Sequence, residues 1–132
     1  MKAVFADTSY YVALLNPQDQ HHRKALDATR KKFRIVTTSG VLTELAASMS
    51  SPLWRMLFVE FQSTLKVDPT VTVVFTDQAS FQSGLDLYAA RPDKAWSLVD
   101  CISFRVMEEM AMTEALTADH HFQQAGFTAL ML

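Results

Sequence analysis

Four acidic residues of this chain stand where an apolar segment ends or a helix-like segment begins. They are Asp7, Glu44, Asp100 and Asp119. Carboxylates that lie close together raise one another's pKa, so gathering them is costly unless a cation neutralises their charge. Oxygen ligands suit Mg²⁺ or Mn²⁺, whereas zinc prefers the side chains of Cys and His. These residue types therefore indicate a site for a hard divalent cation, provided that the fold brings them together.

Asp100 is the acidic residue whose neighbours argue most strongly for a partner. Leu98, Val99, Cys101 and Ile102 flank it in the most apolar helical segment of the chain. A carboxylate in such a place is unfavourable unless it is paired or hydrogen-bonded. For each of the other three acids, taken singly, a structural role explains the residue as well as metal binding does: Asp7 and Asp119 could be helix caps, and Glu44 could be an exposed helix residue.

The spacing of apolar residues predicts strands that alternate with helices. Strands are expected at residues 2–7, 34–39, 70–75, 114–119 and 127–132. Helices are expected at residues 8–16, 19–33, 39–49, 53–66, 77–90, 97–112 and 120–126. This alternation favours an α/β fold in which helices cover both faces of one mainly parallel sheet. At this length we expect one domain that spans residues 1–132.

This topology would place the four acids at one edge of the sheet. Ligands of parallel sheets bind outside the carboxyl ends of the strands. Asp7 and Asp119 end strands, while Glu44 and Asp100 lie in the opening turns of helices that begin at the same edge. The positive ends of those helices would help to hold the charges. Hydroxyls that could hydrogen-bond the carboxylates are those of Thr8, Ser9, Ser97 and Ser103.

The chemistry that suits such a site best is phosphoryl transfer, because a bound cation activates water and neutralises charge on phosphate oxygens. The chain has three glycines, and none belongs to a nucleotide-cradling loop. A zinc site at the adjacent His120 and His121 is disfavoured. Neighbouring residues at a helix start point in different directions, and no cysteine accompanies them.

The net charge, the basic residues, the length of apolar runs and the single cysteine each bear on the class of protein. The net charge of -2 argues against binding nucleic acid through bulk electrostatics. A local basic cluster is equally consistent with a positive patch beside the acidic edge and with a solvated helix face. Its members are Arg23, Lys24, Arg30, Lys31, Lys32 and Arg34. No apolar run is long enough to cross a bilayer, so we expect a soluble, cytoplasmic protein, and Cys101 is expected to be a buried, reduced thiol.

The segment 53–66 carries apolar residues on more than one helical face. Such a helix needs two neighbours. Either it occupies a central position in the fold, which is the simpler interpretation, or one of its neighbours belongs to another subunit.

Four segments in this order and spacing resemble PIN-domain ribonucleases, and most closely the small VapC-like toxins of type II toxin–antitoxin pairs. They are FADTSYYVALLN, TTSGVLTELAAS, WSLVDCISF and ALTADHHFQQAGF. The resemblance covers essentially the full chain. It implies a three-layer α/β/α fold and an endoribonuclease dependent on Mg²⁺ or Mn²⁺, with Asp7, Glu44, Asp100 and Asp119 as the acidic quartet. It also implies a homodimer and a cognate antitoxin whose tail covers the acidic groove, with helix 53–66 as a candidate surface.

Two other functions fit parts of the pattern. One is a PIN-like fold kept only for binding RNA or protein, which the presence of all four acids argues against. The other is a Mg²⁺-dependent phosphoacceptor domain, which would need a second acid beside Asp7 and a lysine after the last strand. This chain has neither. For the RNA-binding surface, the basic cluster, Arg91 and Lys94 are candidates by position.

Overall fold

Strands and helices alternate along almost the whole chain in the computed structural model, which describes residues 1–132. The strands are β1 (Ala3–Ala6), β2 (Arg34–Thr38), β3 (Val71–Val74), β4 (Glu114–Leu116) and β5 (Thr128–Ala129). The helices are α1 (Thr8–Leu15), α2 (His22–Thr29), α3 (Ser39–Ser48), α4 (Pro52–Val67), α5 (Gln78–Ala90), α6 (Leu98–Glu109) and α7 (His120–Gln124). Each predicted element is present. Helix α2 is shorter than expected at both ends, because turns replace residues 19–21 and the helix ends at Thr29 instead of residue 33. Strands β4 and β5 also end earlier than predicted, at Leu116 and Ala129.

The five strands form one sheet in the order β3-β2-β1-β4-β5. Every neighbouring pair is parallel, and β1 lies at the centre between β2 and β4. Phe5 of β1 is in register with Val36 on one side and with Ala115 on the other. The predicted α/β/α architecture is confirmed. Because β1, β2 and β4 run in the same direction, the segments that follow them emerge at one edge of the sheet.

An aromatic cluster joins the central strand to helices α6 and α7. Phe104 packs edge-on against Phe122 at a centroid distance of 4.9 Å, and Phe5 lies 6.1 Å from Phe122. All three side chains are fully buried. Burying one phenyl ring contributes about 1.5–3 kcal/mol. Helix α6 is therefore anchored firmly in the core, as its apolar sequence predicts, and Cys101 is buried there as a free thiol.

Side-chain caps fix where the helices begin at this edge of the sheet. Thr38 Oγ1 accepts a hydrogen bond from the backbone N–H of Val41 at the start of α3. Ser97 and Asp100 form a reciprocal capping box at the start of α6. A cap of this kind stabilises a helix by about 1 kcal/mol. The caps thus set the positions from which the acids of α3 and α6 project.

Helix α4 does not occupy a central position, so that interpretation is wrong. Leu65 is its one buried residue, and its exposed surface carries apolar side chains beside polar ones such as Glu60. Its exposed apolar residues are Leu53, Met56, Val59 and Val67. These are the apolar residues for which a second neighbour was expected within the fold, and they face the outside of the molecule instead.

None of the helices is both long and apolar enough to span a bilayer.

The basic cluster is not a single patch beside the acidic edge. Arg34 is the first residue of β2 and is in register with Ala3, so it lies at the amino ends of the strands, opposite Asp7. Two other arginines of the basic cluster, Arg23 and Arg30, lie near Asp27 on the exposed surface of α2. At Arg34, the interpretation as a positive patch beside the acidic edge is therefore wrong.

Candidate metal centre

One open cleft of about 350 Å³ at the carboxyl edge of the sheet contains all four predicted acids. Its lining residues include Asp7, Glu44, Asp100 and Asp119. They come from four places in the chain: the end of β1, helix α3, the first turn of α6 and the cap of α7. The structure therefore brings together the residues that the sequence analysis selected.

Asp7 is the acid that β1 delivers to the cleft, and it is 4% exposed. Its Oδ2 accepts hydrogen bonds from Thr117 Oγ1 at 2.8 Å and from Ser9 Oγ at 3.1 Å. Burial raises the pKa of Asp7 from its ordinary 3.8 to about 6, and the nearby Asp100 carboxylate adds to the rise. The hydrogen bonds from Thr117 and Ser9 oppose it. Without a cation, the charged form of Asp7 is therefore unfavourable near neutral pH.

Thr117 connects three parts of the site, and the sequence analysis missed it as a functional residue. Besides donating to Asp7, its Oγ1 accepts the backbone N–H of Asp119 at 3.0 Å. It also lies 3.0 Å from Ser9 Oγ, which accepts the backbone N–H of Ala118. Thr117 is completely buried. The sequence signal that could have identified Thr117 is a hydroxyl residue two positions before Asp119, at the end of the predicted strand.

Asp100 is held from two sides and is 6% exposed. Its Oδ2 accepts the backbone N–H of Ser97 at 3.1 Å and lies 2.9 Å from His121 Nδ1. With Asp100 as the acceptor, the His121 ring donates from Nδ1. This contact explains how the apolar helix α6 tolerates a carboxylate: both of its partners are polar groups at the same edge.

His121 joins two of the acids, and it is the second residue that the sequence analysis missed. Besides the contact with Asp100, its Nδ1 lies 3.4 Å from Asp119 Oδ2, and its backbone N–H donates to Asp119 Oδ1 at 2.9 Å. Ligand atoms of Asp100, Asp119 and His121 lie within 4.8 Å of one another. His120 is exposed and its Nδ1 lies 3.1 Å from Gln123 Oε1, so the two adjacent histidines do face in different directions.

Glu44 reaches the cleft from helix α3. Its Oε1 accepts a hydrogen bond from Thr8 Oγ1 at 2.6 Å. Thr8 directly follows Asp7, so this bond ties the α3 side of the cleft to the end of the central strand. Elsewhere on the rim, Asp19 Oδ1 accepts the backbone N–H of His21 at 2.8 Å, and both residues line the cleft. Neither rim residue was expected at the site.

Three of the four predicted hydroxyl residues contact the acids. Thr8 and Ser9 donate to Glu44 and Asp7, and Ser97 forms the capping box with Asp100. Ser103 does not contact them: its hydroxyl donates to the carbonyl of Val99 at 2.9 Å. The side chain of Ser103 is one turn further along α6, so it bonds back to its own helix instead of reaching the cleft.

The arrangement of oxygens fits a divalent cation. Each of the four acids is held by at least one hydrogen bond: at Oδ2 in Asp7 and Asp100, at Oδ1 in Asp119 and at Oε1 in Glu44. Carboxylates that are held in place and line one cleft form the kind of donor set that hard cations require. The burial and mutual repulsion of Asp7 and Asp100 give a physical reason for a cation to bind.

Comparisons with known proteins agree with this architecture. A family model described as PIN domain matches residues 4–128. The chain is 26% identical over 125 residues to the 23S rRNA-specific endonuclease VapC20 of Mycobacterium tuberculosis, covering 94% of this chain and 95% of the relative.

Solved structures share the fold. The crystal structure of Mycobacterium tuberculosis VapC20, described as a Sarcin-Ricin loop cleaving toxin, matches with a TM-score of 0.86 at 24% identity, covering 95% of this chain and 96% of that one. VapBC2 from Rickettsia felis, bound to a DNA fragment from its promoter, matches with a TM-score of 0.68 at 12% identity, covering 96% of both chains. FitAcB from Neisseria gonorrhoeae matches with a TM-score of 0.62 at 16% identity, covering 96% of this chain and 94% of that one.

Proposed function

The chain belongs to the PIN domain family, and from that membership we propose that it is a metal-dependent endoribonuclease that hydrolyses phosphodiester bonds in RNA. The observation that carries the proposal is the cleft in which Asp7, Glu44, Asp100 and Asp119 meet. The similarity over 94% of the chain to a relative named as an rRNA endonuclease supports the same activity. Ribosomal RNA is therefore the first substrate to test.

The cation that we assign to the cleft is Mg²⁺ or Mn²⁺, held by Asp7, Asp100, Asp119 and Glu44. Carboxylate oxygens are the ligands that these ions prefer. When bound, the ion would lower the pKa of an attacking water and neutralise charge on the scissile phosphate. The histidine beside the acids does not change the assignment, because it lies within hydrogen-bonding distance of Asp100 through Nδ1.

The protein's own contribution is to hold the acids in fixed positions. Thr117 and Ser9 orient Asp7, Thr8 orients Glu44, and His121 lies against Asp100. A site of carboxylates would repel an RNA phosphate, so substrate can approach only after the charge of the cleft has been compensated. The same residues therefore make phosphate binding dependent on the cation.

The biological role that we propose is that of the toxin in a toxin–antitoxin pair, acting in the cytoplasm. The similarity to VapC20 and the fold shared with VapBC2 support it. A cognate antitoxin would cover the acidic cleft, and the chain would form a homodimer. The exposed apolar side of α4, which includes Leu53, Met56 and Val59, is a surface that either contact could bury.

The activity is tested by incubating the purified chain with ribosomal RNA and Mg²⁺ or Mn²⁺. We expect internal cleavage that stops in excess EDTA and that falls by more than about a hundredfold in Asp7→Asn and in Asp100→Asn, beyond the effect of losing an outer hydrogen-bond partner. Glu60→Gln, on the exposed surface of α4, is the matched control and should cleave normally. Cleavage that persists in EDTA or in either aspartate variant would overturn a metal-dependent reaction at these acids, whereas no cleavage by the wild-type chain would leave a binding module.

A further inference from the structure

A second cavity, larger than the acidic cleft, lies between the end of α5 and the start of α6. Its volume is about 780 Å³, which is within the range of small-ligand sites. The two helices meet closely at Gly84, where an added Cβ would lie 3.1 Å from the backbone of Ile102. The cavity opens beside this contact, and the loop that joins the helices forms one of its walls. Its walls are therefore braced by packed helices.

The lining combines aromatic rings with positive charge. Tyr88 and Trp96 line the cavity together with Arg91 and Lys94, and no acidic residue does. The Arg91 guanidinium lies 5.3 Å from the centre of the Trp96 ring and also pairs with Asp93, which holds it in place. Lys94 makes no ion pair and is free to meet a phosphate. Tyr88 is 49% exposed, so its ring is open to stacking.

The cavity adjoins the acidic cleft at the capping box of α6. Ser97 lines the cavity, and its backbone N–H donates to Asp100 Oδ2, which lies in the cleft. Three residues of helix advance by only about 4.5 Å. A strand of RNA whose phosphate lies at the acids would therefore carry its neighbouring nucleotide past this cavity.

We propose that the α5–α6 cavity is a subsite for one nucleotide of single-stranded RNA flanking the cleaved bond. Tyr88 stacks on the base, Lys94 contacts a phosphate, and the paired Arg91 and Trp96 form the floor. Stacking on an aromatic side chain and contact with a cation are the two interactions by which single-stranded nucleic acid is held without sequence preference. The inference rests on the proposed endoribonuclease function, which it extends from the acids to the substrate.

The first test uses a probe that does not depend on cleavage. The chain has two tryptophans, so its indole N–H groups give two separate NMR signals. Trp54 lines a different cavity between α1 and α4 and serves as an internal reference. On titration of the wild-type chain with adenosine 5′-monophosphate, the Trp96 signal should move saturably while the Trp54 signal stays in place. Inorganic phosphate should move it less, because it offers no base to stack.

The second test measures steady-state RNA cleavage. Tyr88→Ala should raise KM about fivefold or more with kcat little changed, because it removes binding common to substrate and transition state. Tyr88→Phe keeps the ring and should behave as wild type. Lys94→Ala should also raise KM several-fold, and it should reduce the dependence of KM on salt. The matched controls are Phe81→Ala, on the same helix outside the cavity, and Lys66→Ala, at the exposed end of α4.

The outcomes separate this inference from the function on which it rests. A Trp96 signal that does not respond to the mononucleotide, or an unchanged KM in both Tyr88→Ala and Lys94→Ala, would overturn the subsite even if wild type cleaves RNA well. A saturable Trp96 shift without any RNA cleavage would overturn the endoribonuclease and leave a nucleotide-binding cavity.

Discussion

Thr117 donates its hydroxyl to Asp7 Oδ2 across 2.8 Å, although 110 residues separate them in the sequence. The bond joins the segment after β4 to the end of β1, the two strands that lie side by side at the centre of the sheet. The same hydroxyl accepts the backbone N–H of Asp119. One buried side chain thus sets the relative positions of two acids of the cleft.

Replacing Thr117 by valine should shift the pH dependence of cleavage. Val keeps the shape but removes the donor that lowers the pKa of Asp7, so that pKa should rise above about 6. The acidic limb of kcat/KM should then move to higher pH, and cleavage at neutral pH should fall. Thr117→Ser keeps a hydroxyl and should stay close to wild type. A pH profile of Thr117→Val that overlays the wild-type profile would contradict this role.

Asp7 should make the metal-free chain less stable as the pH rises. Its pKa of about 6 in the folded chain exceeds the ordinary 3.8, so the folded chain binds a proton at Asp7 more tightly than the unfolded chain does. This proton stabilises the fold at low pH, and the stabilisation is lost as the pH rises from about 3.8 to about 6. Above this window the cost is about 3 kcal/mol. Urea unfolding in EDTA should therefore show Asp7→Asn to be more stable than wild type near pH 7, and the difference should vanish near pH 4.

That difference should also depend on the cation. Added Mg²⁺ or Mn²⁺ should stabilise wild type near pH 7 and have little effect on Asp7→Asn, because ligands that bind only the folded state raise its stability. An Asp7→Asn variant that is no more stable than wild type in EDTA near pH 7 would show that burial of the charge is not costly.

His121 should act on the reaction through Asp100. Removing its ring in His121→Ala frees Asp100 Oδ2 from one of its two partners, and loss of such an outer contact typically costs about 10- to 100-fold in affinity or activity. His121→Asn, whose amide can donate from nearly the same place as Nδ1, should recover part of the rate. His120→Ala is the control, since that side chain is exposed. Wild-type kcat/KM in His121→Ala would exclude the role.

Gly84 should be required for the contact between α5 and α6. A Cβ there would overlap Ile102 Cγ1 and lie 3.1 Å from Ile102 Cα and N, so Gly84→Ala should destabilise the fold by about 1–3 kcal/mol. At Gly40, an added Cβ would make only ordinary contacts with Thr38 and Val99. Gly40→Ala should therefore be neutral or slightly stabilising, since alanine favours a helix. Equal thermal unfolding of the two variants would contradict this packing.

The sequence was sufficient for the fold and for the placement of the acids. Strand and helix periods alternate clearly, and Asp7 and Asp119 follow neighbouring parallel strands, at the edge where parallel topology collects ligands. The cap residue Ser97 also marked the start of α6 correctly. These features are local in the chain or follow from topology rules, so the sequence alone predicts them.

The contacts that orient the acids could not be predicted in the same way. Thr117 and His121 act through hydrogen bonds that span 110 and 21 residues, and their geometry depends on the packing of β4 and α7 against β1 and α6. Ser103 was expected at the cleft because it lies near Asp100 in sequence, yet the helix turns its hydroxyl toward Val99. The position of helix α4 could not be predicted for another reason: apolar residues that remain exposed look the same in sequence as apolar residues of the core.

Binding of Mn²⁺, followed by the loss of the free-ion signal in electron paramagnetic resonance, tests most directly whether the acids form one cation site. Wild type and Glu60→Gln should bind Mn²⁺ saturably with equal affinity, whereas Asp7→Asn and Asp100→Asn should each bind at least about tenfold more weakly while remaining folded. Mn²⁺ affinity that is unchanged in both aspartate variants would contradict the account.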